Sequence, residues 1–172
     1  MSEENKAIVR RQEEELFTQG NLDAADEIYA PNYVGHDPSN PEDIRGQEAA
    51  KQAAADYREA FPDLQVTIEE LIAEGDKVAA RVRFRGTHQG ELEGIAPTGR
   101  RVESTGIVIS RIEGGKIAED WANFDDLGLM RQLGAISVSC LPYQAEMYGC
   151  YHAESFVCQF CGNHQVVKIQ GG

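Results

Sequence analysis

Cysteine is absent from the first 136 residues; all four, Cys140, Cys150, Cys158 and Cys161, come later. The main part of the chain therefore depends on neither disulfides nor thiol chemistry. Long apolar runs are missing too. None approaches the ~18 residues of a membrane span, and the N-terminal stretch MSEENKAIVRRQEEE lacks the apolar centre of a secretory signal. Positive charge is scarce: 16 Lys and Arg stand against 29 Asp and Glu, a net charge of −13. Such a surface repels nucleic acid and anionic lipid. These absences point to a cytoplasmic protein that binds neither nucleic acid nor membrane.

A chain of 172 residues, 41% of them hydrophobic, suits one domain with a single core and a short appendage. Composition changes abruptly near Ile136. Before it lie 27 acids and 15 bases; after it only two acids and one lysine. The expected division is a main domain, 1–136, and a cysteine-containing tail, 137–172.

Periodicity predicts helices first. Residues 3–18 carry a partial apolar face through Ala7, Ile8, Gln12, Leu16 and Phe17, and Gly20 ends the run. A short helix follows over LDAADEIYA, closed by Pro31. NYVGHDPSNPEDIRG, punctuated by Gly35, Pro38 and Pro41, reads as a loop. An Ala-rich helix then runs to Pro62. Strand patterns come next: LQVTIEELIAEGD; KVAARVRFRG, with Val78, Ala80, Val82 and Phe84 on one face and Lys77, Arg81, Arg83 and Arg85 largely on the other; RVESTGIVISRI; and KIAEDWANFD, returning after Glu113-Gly114-Gly115. DLGLMRQLG closes as a helical turn or two. Helices followed by hairpin-linked strands give an α+β fold, an antiparallel sheet covered on one side by helices, with space for a small ligand between the layers. Arg81, Arg83 and Arg85 fit an outer face paired with neighbouring acids.

Four stretches recur together: YVGHDP from residue 33, FPD at 61–63, GTHQGELEGIAPTGRRV at 86–102, and GGKIAEDWANFDDLGLMRQLG at 114–134. In combination they resemble the SnoaL-like polyketide cyclase family, within the NTF2-like superfamily, over residues 5–136. The resemblance implies a cone: N-terminal helices packed on a strongly curved, mainly antiparallel sheet that encloses a pocket. It implies a homodimer or higher homo-oligomer, and aldol ring closure of a small-molecule substrate without metal or cofactor. The general acid/base would be a carboxylate near the end of the last strand.

Asp125, four residues after Trp121, matches that carboxylate. Strand parity puts Trp121, Asn123 and Asp125 on one face with Ile117 and Glu119, and burial beside Trp121 would raise the pKa of Asp125 toward neutrality. The alternative is that Asp125 caps the following helical turn. Asp126 falls on the other face and reads as solvated charge. His36 is a candidate to share a proton or orient substrate, and Tyr33 and His88 are candidates to line the pocket or to pack structurally. The resemblance leads to a histidine on the penultimate strand, but TGIVISRI has none. Arg111 stands nearby; it stays protonated and suits charge stabilisation rather than base catalysis. In the tail, Cys150, His152, Cys158 and Cys161 form a candidate zinc set, although a single C-x-x-C is a weak signal; the alternatives are a disordered extension, a translated non-native sequence or a disulfide-forming segment. The expected function is a cofactor-independent ester cyclase, isomerase or hydrolase acting on an apolar carbonyl compound. The alternative is a non-catalytic module that holds a small ligand or a partner protein.

Overall fold

The protein is seen here as a computed structural model that describes residues 2–136. Helix α1 (Ser2–Arg11) runs into a π-helical segment, Gln12–Thr18. A 3₁₀ turn, Leu22–Ala24, leads to the short α2 (Ala25–Ile28). Strand β1 (Tyr29–His36) and the two-residue β2 (Ile44–Arg45) precede α3 (Gln47–Ala60). Three hairpins then link β3 (Gln65–Glu74), β4 (Lys77–Thr87), β5 (Arg101–Glu113) and β6 (Lys116–Phe124), and α4 (Asp126–Leu133) follows. The sheet order is β2-β1-β6-β5-β4-β3, antiparallel except where β1 lies parallel to β6. This is the expected α+β architecture, a curved sheet with helices against one face.

Alternation builds the inner face. Along β4, Val78, Ala80, Val82 and Phe84 are buried while Lys77, Arg81 and Arg85 are exposed. β5 follows the same rhythm, with Val102, Ser104, Gly106, Val108, Ser110 and Ile112 inward. The π-helical segment packs on β3, and α1 on β3 and β4, while α3 packs on β1. Leu16, Ile28, Phe61 and Ile117 are completely buried between these layers, each worth about 1.5–3 kcal/mol of transfer free energy. On the outer face Arg81 and Arg83 pair with Glu69, and Arg83 and Arg85 with Glu103. Glu69 reaches two arginines because it is the extra residue of a bulge between Ile68 and Glu70. Among the described residues no helix is long and apolar enough to cross a membrane.

Two expectations need correction. The segment read as a loop after Pro31 is strand at both ends: Asn32–His36 belong to β1, which turns Tyr33 and Gly35 inward, and Ile44–Arg45 form β2, with the loop confined to 37–43. The β6 partner of β1 lies about 85 residues away, so local sequence carries little sign of it. The parity of β6 is also reversed. Arg111 pairs with Glu119 but Ile112 pairs with Ile117, so Ala118 is an extra residue. Ile117 and Ala118 are both buried, and from there Asp120, Ala122 and Phe124 face inward. One inserted residue turns every later side chain to the opposite face.

Candidate active site

The helices and the inner face of the sheet enclose a cavity of about 560 Å³. Its apolar wall comes from Phe17, Val66, Val82, Phe84, Val108 and Phe124. Gly106, opposite Phe124 in β5, makes room for that ring: a Cβ there would lie 2.3 Å from Phe124 Cδ1.

The polar end of the cavity centres on Asp120. Its carboxyl is almost completely buried. Oδ2 accepts hydrogen bonds from the Tyr33 hydroxyl at 3.2 Å and from Gln12 Nε2 at 3.3 Å. Gln12 Nε2 also donates to Tyr29 Oη at 3.0 Å, and the Tyr29 and Tyr33 rings lie 4.5 Å apart. Asp120 Oδ1 makes no hydrogen bond among the described residues. Ser110 stands opposite in β5 and favours the ionised carboxylate, although its hydroxyl makes no hydrogen bond of acceptable geometry. Burial dominates and raises the Asp120 pKa from its ordinary value to about 6. Gly35, paired with Asp120 across β1 and β6, is what lets the Tyr33 ring fold over toward it: a Cβ at Gly35 would lie 2.5 Å from Tyr33 Oη.

Glu13 is the second buried carboxyl of the cavity. Burial, and then the nearby Asp120, raise its pKa to about 8. Neither residue stands out in a sequence this rich in acid. The available signal was polar residues on inward faces, Ser104 and Ser110 on β5 and Asp120 on β6, and Gln12-Glu13 on the apolar stripe of the first helix. Asp126, read as solvated charge, is half-buried and lines the cavity near Tyr57; burial, then Asp37 and Glu93, raise its pKa. Counting these, eight carboxyl side chains and no lysine or arginine among the described residues line the cavity.

The structure places the remaining candidates elsewhere. Asp125 is exposed at the start of α4, where its Oδ1 accepts from the Gly128 N–H at 2.9 Å; it is a helix cap and not part of the cavity wall. Trp121 and Asn123 share its outward face. Trp121 stacks with His36 at 5.6 Å, and Lys77 Nζ lies 5.1 Å from its ring centre. His36 touches the cavity edge, but Asp43 and Glu119 engage both its nitrogens, at 2.9 and 3.0 Å, and raise its pKa. Arg111 lies on the same outer side, bound to Glu119 and Glu113, and does not reach the cavity. His88 is fully buried against Phe61, away from the cavity, and Thr98 N–H donates to its Nδ1 at 3.2 Å. It ties down the 88–100 connection. Of the predicted group, only Tyr33 and His36 line the cavity. The candidate zinc set Cys150, His152, Cys158 and Cys161 lies outside the described residues. Among those described, no group of three or more His, Cys, Asp or Glu side chains is placed to hold a metal.

A family profile described as SnoaL-like polyketide cyclase matches residues 7–133. Aklanonic acid methyl ester cyclase DnrD of Streptomyces peucetius is 35% identical over 135 residues, covering 74% of this chain and 88% of that protein. The nogalonic acid methyl ester cyclase of Streptomyces nogalater is 33% identical, covering 69% of this chain and 89% of its own. Among solved structures, TsrD of Streptomyces laurentii matches with a TM-score of 0.67 and 36% identity, over 76% of this chain and 97% of that one.

Proposed function

The chain belongs to the SnoaL-like polyketide cyclase family, and from that premise we propose that it closes a ring in a polyketide-derived keto ester, with Asp120 as general base and acid. The observation that carries this reading is a buried carboxylate, Asp120, held at the polar end of the cavity by neutral donors only, with its pKa raised to about 6. At neutral pH most of it is ionised, yet it is far more basic than an ordinary aspartate, as proton transfer requires. Asp120 removes a proton from a carbon flanked by two carbonyl groups. The resulting enolate carbon attacks a ketone of the same molecule, forming the C–C bond. The proton then passes from Asp120 to the new alkoxide. The product is an isomer of the substrate. Tyr33 and Gln12 hold the carboxylate in place through Oδ2.

An ester fits this cavity better than a free acid. Among the described residues its lining has eight carboxyl groups and no lysine or arginine, and its one histidine, His36, is already taken up by Asp43 and Glu119, so a substrate carboxylate would meet repulsion without a free counter-charge. The relatives are named for the methyl esters of aklanonic and nogalonic acids, which accords with that electrostatics. The test is ring closure of aklanonic acid methyl ester. Asp120→Asn keeps the shape and removes the base, so kcat is expected to fall at least ~100-fold. Unchanged turnover in that variant would end the proposal, and a wild-type protein that binds the ester without converting it would favour a binding module.

A further inference from the structure

Proton removal by Asp120 leaves negative charge on a substrate oxygen, and the cavity offers no free cation among the described residues to receive it. No described lysine or arginine lines it. His36, at its edge, is engaged by Asp43 and Glu119. Gln12 Nε2 is committed to Tyr29 and Asp120, and the Tyr33 hydroxyl to Asp120. Glu13 differs from all of these. It is 5% exposed, it lines the cavity, and its carboxyl forms no hydrogen bond or ion pair among the described residues.

The backbone is built to bring it there. Ile8, Gln12 and Leu16 are buried in steps of four, and so are Val9 and Glu13. In an α-helix each step of four drifts by about 40° around the axis. From Gln12 the helix widens to π geometry, Gln12–Thr18, which reverses the drift, so the next step, from Gln12 to Leu16, stays on the buried side. Such local widening often marks functional positions.

We propose that Glu13 is the second acid of the site: a neutral carboxylic acid that donates a hydrogen bond to the substrate oxygen on which negative charge develops. This rests on Asp120 as the base. The two carboxyls then divide the labour, one ionised and one protonated, because a buried pair so close resists carrying two charges. Of the titratable groups that line the cavity with Glu13, Asp120 on β6 favours its neutral form, Tyr29 and Tyr33 on β1 and Tyr57 on α3 are themselves neutral, and His36 at the edge is taken up by Asp43 and Glu119. The rim adds Asp37, Glu93 and Asp126, which are acids as well. The pair places the working range between about pH 6, where Asp120 ionises, and about pH 8, where Glu13 does.

The experiment uses the full chain with glutamate carboxyls labelled with carbon-13, titrated by NMR, alongside turnover of aklanonic acid methyl ester. One glutamate is expected to titrate near 8 and to vanish from the spectrum of Glu13→Gln. The amide still donates, so Glu13→Gln should lose less than ~10-fold in kcat and lack the decline in rate above about pH 8. Glu13→Leu should lose ~100-fold or more, the scale of a lost oxyanion donor. If every glutamate titrates in the ordinary range, or if Glu13→Gln is as inactive as Glu13→Leu, Glu13 is not a neutral donor. That failure is separable from failure of Asp120 as the base, which Asp120→Asn reads independently.

Discussion

Glu119 and Asp120 are adjacent carboxylates on one strand, and they live in opposite electrostatic worlds. Glu119 points outward and is bound by Arg111 at 3.1 Å and His36 at 3.0 Å, which lower its pKa. Asp120 points inward, has only neutral donors, and has its pKa raised. The outer face spends its charges on one another: Arg111, His36, Asp43, Glu69, Arg83 and Glu103 are all paired there. The inner face keeps carboxyls without counter-ions. Pairing removes a group from chemistry by fixing its protonation, whereas unpaired burial brings it near the pH at which proton transfer is useful.

The sharpest way to break this contrast is to neutralise each neighbour in turn. Asp120→Asn is expected to cost at least ~100-fold in kcat. Glu119→Gln, one residue away, should stay within about threefold, because exposed ion pairs contribute little beyond local order. Comparable losses in both variants, measured on the same ester, would mean that the face a carboxylate occupies does not decide its role.

Stability against pH gives the next largest difference, and the signs are opposite. Glu13 and Asp120 have raised pKa values in the folded protein, about 8 and about 6. Their favourable contribution is complete below the unfolded values of about 4 and is lost as pH rises through 6 and 8. Glu119 has a lowered value; its contribution is complete above about pH 4.3 and is lost only as pH falls further. Glu13→Gln should therefore gain Tm over the wild type as pH is raised from about 5 to about 8. Glu119→Gln should show its full deficit already at about pH 5, shrinking only in stronger acid. Thermal unfolding across that range separates the two, and a flat difference for Glu13→Gln would place that carboxyl in a wetter setting than its burial indicates.

A smaller effect tests how Asp120 is held. Gly35→Ala places a Cβ where Tyr33 Oη now lies, 2.5 Å away, and so pushes the phenol off Asp120 Oδ2. Losing a donor to the ionised form raises the carboxyl pKa further. The acid limb of the rate profile should move to higher pH, with a rate loss of a few-fold at neutrality. Tyr33→Phe should move it the same way; no shift in either variant would mean that Tyr33 only fills space.

Much of the fold was legible because it depends on local signals. The alternation in KVAARVRFRG, the Glu113-Gly114-Gly115 turn, and Pro62 after the Ala-rich helix each act within a few residues, and each gave an element near its observed bounds. The site was less legible because it depends on long-range pairing. Asp120 faces the cavity only because Ala118 is inserted where β6 meets β5. Strict alternation along the strand put Ile117, Trp121, Asn123 and Asp125 on one face, whereas only Ile117 of these is buried. No residue in KIAEDWANFD announces the insertion, since alanine is as ordinary at a bulge as in a strand. Tyr33 was a candidate by resemblance, yet its route over Gly35 to Asp120 requires β1 beside β6, a contact between distant segments.

The smallest expected effect bears on that same reversal. Asp125 has the sequence context of a catalytic carboxylate and the structural position of a cap. Its carboxylate accepts from Gly128 N–H, its carbonyl accepts from Leu129 N–H, and it carries negative charge at the N-terminus of α4. Asp125→Ala should therefore cost about 1 kcal/mol of stability, the usual value of a lost cap, with kcat on the ester unchanged within about twofold. Asp125→Ser should recover most of the lost stability, because a hydroxyl caps almost as well as a carboxylate. A charge-dependent catalytic role would give the reverse pattern: Asp125→Ser stable and inactive. That outcome would require the inserted residue at Ala118 to be absent from the working protein, with β6 presenting Trp121, Asn123 and Asp125 to the substrate after all.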